Sequence, residues 1–165
     1  MHSPVRRGQL EVNMRLSHLL YMYATLHDLG NVSSEKALIA LSRNDYEPDI
    51  CFWHKEKTKD FNPDTIVHPV PDFIVEILSK STRKNDRTIK FNDYAAHGVA
   101  EYWMIDYTKL TVEQFRLEKD KYVLQKIHTV GDRIESSVIA GFEIAVEAIF
   151  ETSAYLTENK RIGSR

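Results

Sequence analysis

Apolar positions recur along this chain in two rhythms. Val12, Leu16, Leu19, Leu20, Tyr23 and Leu26 follow one another at helical spacing and predict an amphipathic helix that Gly30 ends. Ser3-Pro4 offers a cap and a first-turn proline for its start, while Gly8 weakens the first turn. Beyond Gly30 the rhythm shortens. Residues 32–41 and 46–53 predict two strands joined by the turn cluster Ser42-Arg43-Asn44-Asp45. Residues 72–79 form an apolar run rich in β-branched and aromatic side chains, as in a strand buried on both faces. A helix is expected next, capped by Thr82 or Asn85, with Phe91, Tyr94 and Ala95 on its apolar side and Gly98 as its stop.

The C-terminal part keeps to short elements. Residues 101–106 predict another aromatic-rich strand. Residues 110–117 and 121–127 alternate polar and apolar around Glu118-Lys119-Asp120, which predicts a hairpin. Residues 55–68, charged and turn-rich, read as a surface excursion. A short apolar segment follows Gly141, and the polar tail 151–165 is expected to fray. The pattern is that of an α/β (α+β) chain in the order αβββαβ plus a C-terminal β-hairpin. One domain over residues 1–150 suits a length of 165 residues.

Composition changes this picture little. Apolar residues make up 42% and charged ones 28%, an ordinary globular balance that argues against disorder. No apolar run approaches the roughly 20 residues needed to cross a bilayer, and the polar, basic start carries no signal-peptide core. A single cysteine, Cys51, excludes an internal disulfide and makes the reducing cytoplasm the expected location. The formal charge of −2 leaves nucleic acid open as a partner, through a local basic patch and not through the field of the whole molecule.

The chemistry concentrates in the buried strand. Glu76 is the one ionisable residue in its middle and shares a face with Ile74 and Leu78. An unpaired carboxylate there would cost several kcal/mol or stay protonated, so a basic side chain or a metal ion must offset it. Asp49, behind Pro48 at the head of an earlier strand, shares a face with Cys51 and Trp53. Alone it reads as a structural aspartate bonding nearby backbone. Asp86, Lys90 and Tyr94 fall at i, i+4 and i+8 along one helical ridge. Glu11 and Arg15, one turn apart, read as a surface ion pair.

No glycine-rich phosphate loop, serine nucleophile elbow or zinc-spaced histidine pair is present, and the seven histidines are scattered singly. What remains is two acids and a lysine. Carboxylates on adjacent strands make a hard-oxygen site suited to Mg²⁺, with a backbone carbonyl and waters completing the shell. Such a site can activate water against a phosphodiester while a lysine steadies the developing charge.

The segments Tyr46-Glu47-Pro48-Asp49 and Pro71-Asp72-Phe73-Ile74-Val75-Glu76-Ile77-Leu78-Ser79 resemble the PD-(D/E)xK nuclease superfamily. Joined to Asp86-x-x-x-Lys90-x-x-x-Tyr94, Gly98-Val99 and Glu101-Tyr102-Trp103-Met104-Ile105-Asp106, they resemble the Uma-two "putative restriction endonuclease" family. The likeness runs from the first helix to about Phe150. It implies a restriction-endonuclease-like core: a mixed β-sheet flanked by helices. It also implies that Asp49 and Glu76 hold the metal with the Ile77 carbonyl, Mg²⁺ being the cofactor and Mn²⁺ a substitute.

The superfamily's Glu-x-Lys would place an amine two residues after Glu76, where this chain has Leu78. The resemblance therefore points to Lys90 on the following helix, ahead of Lys80, which lies two pleats along from Glu76. Glu11, Asp72 and Tyr94 are additional site candidates, with Asp72 read first as a structural carboxylate. Arg83, Lys84 and Arg87 form the nearest basic cluster and are candidates for contact with a phosphate backbone. The implied activity is a metal-dependent endonuclease on nucleic acid, DNA in particular, working as a homodimer. The alternative is a catalytically inactive module of the same fold that binds nucleic acid or a protein partner.

Overall fold

The computed structural model describes residues 4–164, so Ser3, the expected cap, lies outside the described residues. The first helix, α1, spans Arg7–Leu26 and buries the predicted stripe of Val12, Leu16, Leu19, Leu20 and Tyr23. Gly30 does not stop it. That glycine opens strand β1 (Gly30–Ser34), where a Cβ would lie 1.9 Å from the Trp53 carbonyl oxygen.

Six strands form the main sheet, in the order β1-β4-β6-β7-β8-β9. Here β4 is Ile50–His54, β6 is Phe73–Ile77, β7 is Glu101–Asp106, β8 is Thr111–Glu118 and β9 is Lys121–His128. β6 and β7 run parallel, and every other neighbouring pair is antiparallel. The sheet is therefore mixed, as expected. Alternation along β4, β6 and β7 divides the core in two. Ile50, Phe52, Phe73, Val75, Ile77, Trp103 and Ile105 pack on one face with α1. Cys51, Trp53, Ile74, Leu78, Tyr102 and Met104 pack on the other. Helix α3 (Ile89–Ala96) covers that second face with Tyr94 and Ala95.

The chain departs from the predicted elements where local strain or distant partners intervene. The expected strand 32–41 breaks at Glu35 and Lys36, whose φ values of 56° and 54° are left-handed. Beyond that turn, β2 (Leu38–Ala40) leaves the main sheet and pairs with β3 (Asp45–Tyr46) and β5 (Val67–His68). The excursion 55–68 is thus tied down at its end, with His68 stacked 5.3 Å from Trp53.

The helix expected after Thr82 is two helices, α2 (Arg83–Arg87) and α3. They part at Thr88, whose Oγ1 donates to the Lys84 carbonyl at 2.7 Å and competes with the helical ladder.

The tail is a correction. Residues expected to fray form helix α5 (Thr152–Gly163), following the short α4 (Glu147–Phe150) and the hairpin β10 (Arg133–Glu135) and β11 (Glu143–Ala145). Ile162 enters the α1-side core, and buried Glu158 accepts from Arg133 Nη1 and the Ala145 N–H, each at 2.9 Å. A polar sequence folds here because Ile162, Ala154 and Tyr155 pack on the core and Glu158 pairs with Arg133 of a distant strand.

The hairpin of β8 and β9 leaves β9 as an open edge, but the register steps from Gln114↔Lys126 to Phe115↔Leu124. Gln125 is bulged, which interrupts that edge. No helix among the described residues is long and apolar enough to cross a membrane.

Candidate active site

β4 and β6 are neighbours, and Ile50 pairs with Val75. One step further in the same register sets Asp49 opposite Glu76, both on the α3 side of the sheet. Asp49 Oδ2 accepts the Ile77 N–H at 2.7 Å. The structural reading of Asp49 thus holds: its carboxylate bonds the backbone of β6. Asn13, buried in the middle of α1, donates from Nδ2 to the Asp49 carbonyl at 3.1 Å.

Glu76 is only 3% exposed. Its Oε1 accepts from Tyr94 Oη at 2.8 Å and from Lys90 Nζ at 3.2 Å. Lys90 Nζ also lies 2.9 Å from Oδ1 of Asp86, which is 1% exposed. The break at Thr88 therefore does not separate Asp86 from Lys90; they still meet as an i,i+4 pair across it.

These groups set one another's charge. Burial pushes Glu76 up from its ordinary 4.5 to about 8; Lys90 pulls it down, while Asp49 and Asp86 push it further up. Burial likewise raises Asp49, opposed by the Ile77 N–H and by Lys90. For Lys90 burial works against the charge, but Glu76 and Asp86 outweigh it and the ammonium is held protonated well above its usual range.

A cleft of about 770 Å³ opens over this group, with Asp49, Glu76, Ile77 and Lys90 in its lining. Gln9, one turn before Asn13 on α1, lines it too, and its Nε2 donates to the Ile77 carbonyl at 3.4 Å. Neither Gln9 nor Asn13 stood out in the sequence. The available signal was a pair of amides at i, i+4 beside the apolar stripe of α1.

The other sequence candidates lie elsewhere. Glu11 pairs with Arg7 at 2.9 Å and Arg15 at 3.7 Å on the outer surface of α1 and does not line the cleft. Asp72 accepts the His54 N–H at 2.8 Å and pairs with Lys57 at 2.9 Å. Arg83 is paired with Asp106 at 3.0 Å, and Arg87 makes a two-pronged contact with Glu113. Lys84 is exposed but does not line the cleft. The cations that do line it, besides Lys90, are Arg6, Lys36 and Lys80.

Among the described residues no three His, Cys, Asp or Glu side chains gather as a metal cage. A small hard cation does not need one, because Mg²⁺ keeps several waters and binds through one or two carboxylates. Asp49 has committed Oδ2 to the Ile77 N–H and Glu76 has committed Oε1 to Tyr94 and Lys90, and the two carboxylates lie within hydrogen-bonding reach of each other. Two adjoining carboxylates beside the Ile77 carbonyl, in one cleft lining, are a donor set that fits such an ion.

A mixed sheet flanked by helices, with acids from adjacent strands meeting at a cleft, is the restriction-endonuclease-like nuclease fold. The chain belongs to the Uma2 family, described as "putative restriction endonuclease", whose model matches residues 1–147. The fold is similar to that of a crystal structure of "a putative nuclease belonging to DUF820" from Anabaena variabilis ATCC 29413. That match has a TM-score of 0.74 at 14% identity and covers 91% of this chain and 84% of the other. A search of curated proteins returns no match.

Proposed function

We propose that this protein is a metal-dependent endonuclease that hydrolyses phosphodiester bonds in DNA, with Mg²⁺ as cofactor and Mn²⁺ able to replace it. The observation that carries this reading is the pairing of Asp49 and Glu76 on adjacent strands, with the Lys90 ammonium 3.2 Å from Glu76. The divalent ion, held by Asp49, Glu76 and the Ile77 carbonyl, would supply a lowered pKa for bound water and positive charge for the phosphate.

The chain's own groups do the rest. Tyr94 fixes Oε1 of Glu76, which leaves Oε2 for the ion. Lys90 stays protonated, which makes it a donor to the attacking water or the non-bridging phosphate oxygens and not a base. The water oxygen bonds to phosphorus and gives up a proton to solvent, the ester P–O bond breaks, and the leaving alkoxide takes up a proton from solvent.

Glu76→Gln should abolish divalent-dependent cutting of a DNA duplex while the protein still melts cooperatively. Full cutting by that variant would reject this site. DNA binding by the wild type without cleavage in Mg²⁺ or Mn²⁺ would favour the inactive-module alternative. Cutting both strands of a duplex calls for two sites, so a homodimer is part of the proposal. Light scattering that gives one chain's mass, with and without DNA, would remove it.

A further inference from the structure

Asp86 has no role in the reading above, yet it carries a large cost. It is 1% exposed, and neither of its carboxylate oxygens accepts a well-aligned hydrogen bond among the described residues. A buried carboxylate with an unsatisfied oxygen is destabilising unless its one contact requires it. That contact is the Lys90 ammonium, 2.9 Å from Oδ1. The same ammonium lies 3.2 Å from Glu76.

We infer that Asp86 is a positioning residue: it anchors the Lys90 ammonium independently of Glu76, so that the lysine stays in place when a divalent cation claims that glutamate. The inference rests on the proposed metal-dependent reading. Without Asp86, Glu76 would be the only carboxylate within 4 Å of Lys90 among the described residues, and lysine and cation would compete for it outright. With Asp86, the ammonium has its own countercharge, and a positive group can sit beside a positive ion. The i,i+4 spacing across the Thr88 break delivers this: α2 carries the anchor and α3 carries the lysine.

The test is a double-mutant cycle read as Mn²⁺ affinity of the protein alone, by the free-ion signal in electron paramagnetic resonance. Asp86→Asn should weaken Mn²⁺ binding about tenfold in the wild-type background and less than twofold in a Lys90→Met background. An equal loss in both backgrounds would mean that Asp86 acts on the ion directly; no loss in the wild type would mean that it does nothing for the site. Either result overturns the inference.

A second measurement needs neither metal nor nucleic acid. Reductive methylation of Lys90 should stay as slow in Glu76→Gln as in the wild type, and should rise severalfold in Asp86→Asn. The reverse ranking would make Glu76 the anchor. If the wild type binds no Mn²⁺ at all, the metal reading falls, while the labelling ranking still decides the role of Asp86.

Discussion

Asp49 holds the backbone of the strand that carries its partner acid: its Oδ2 accepts the Ile77 N–H at 2.7 Å. The structural role and the proposed chemical one therefore fall on one carboxylate and can be separated by two substitutions. Asp49→Asn keeps an oxygen for that N–H, whereas Asp49→Ala leaves a part-buried donor without a partner. Denaturant unfolding should show Asp49→Ala less stable by about 1–3 kcal/mol and Asp49→Asn within about 1 kcal/mol of wild type. Cleavage should fall by about 100-fold or more in both, beyond what loss of a merely supporting residue causes. Retained activity in Asp49→Asn would leave Asp49 with the structural role alone.

The pH dependence of stability should be unusual in sign. Burial and the neighbouring acids raise Glu76 from 4.5 to about 8, so the native state binds its proton more tightly than the unfolded chain. The stability this contributes is fully present below about pH 4.5 and is lost as pH rises through about 8. In chelator, the melting temperature of wild type relative to Glu76→Gln should therefore fall across that window. Excess Mn²⁺ should remove the trend, because the ion takes the ionised form and displaces the proton. Parallel pH profiles for the two proteins in chelator would show that Glu76 ionises normally.

Helix α5 gives a stability prediction that leaves the cleft alone. Glu158 is 3% exposed and accepts from Arg133, from Arg161 and from the Ala145 N–H. Removing it strands a backbone donor and takes one partner from each of two guanidinium groups, although Arg133 keeps Glu143 and Arg161 keeps the Glu143 carbonyl. Glu158→Ala should cost about 2–4 kcal/mol, below the full penalty for a wholly buried pair, with Mn²⁺ affinity unchanged. An unchanged unfolding midpoint would mean that α5 docks through its apolar contacts, Ile162, Ala154 and Tyr155, without help from Glu158.

How much of this was legible in the sequence follows from the range of each interaction. Period-two alternation fixed the face of Glu76 from its neighbours alone, and helical spacing put Lys90 one turn from Asp86 and one turn from Tyr94. Those arguments use contacts within a single element. Gln9 reaches Ile77 across 68 positions and Asn13 reaches Asp49 across 36, and no local pattern announces either. Arg83 and Arg87 looked free for the same reason. Their partners, Asp106 and Glu113, lie 23 and 26 residues on and become neighbours only when β7 and β8 join the sheet. The break at Thr88 had a local cause, but a threonine hydroxyl in a helix does not always turn back on the ladder.

Gln9 offers the sharpest check on where the ion sits. Its Nε2 donates to the Ile77 carbonyl at 3.4 Å, and its Oε1 accepts the Arg6 N–H at 3.4 Å. Gln9→Glu keeps the second bond, gives up the first and sets a third carboxylate beside Asp49 and Glu76. In chelator the added charge faces two buried acids, so the variant should melt below wild type. With Mn²⁺ the balance reverses, because affinity for a hard cation rises with the number of anionic ligands. Calorimetric titration should show Mn²⁺ binding tightened about tenfold, and the Mn²⁺-induced rise in melting temperature should grow with it. Should the affinity stay unchanged while chelated Gln9→Glu is destabilised, the third carboxylate has reached the acids but not the ion, and the Ile77 carbonyl is not among the ligands.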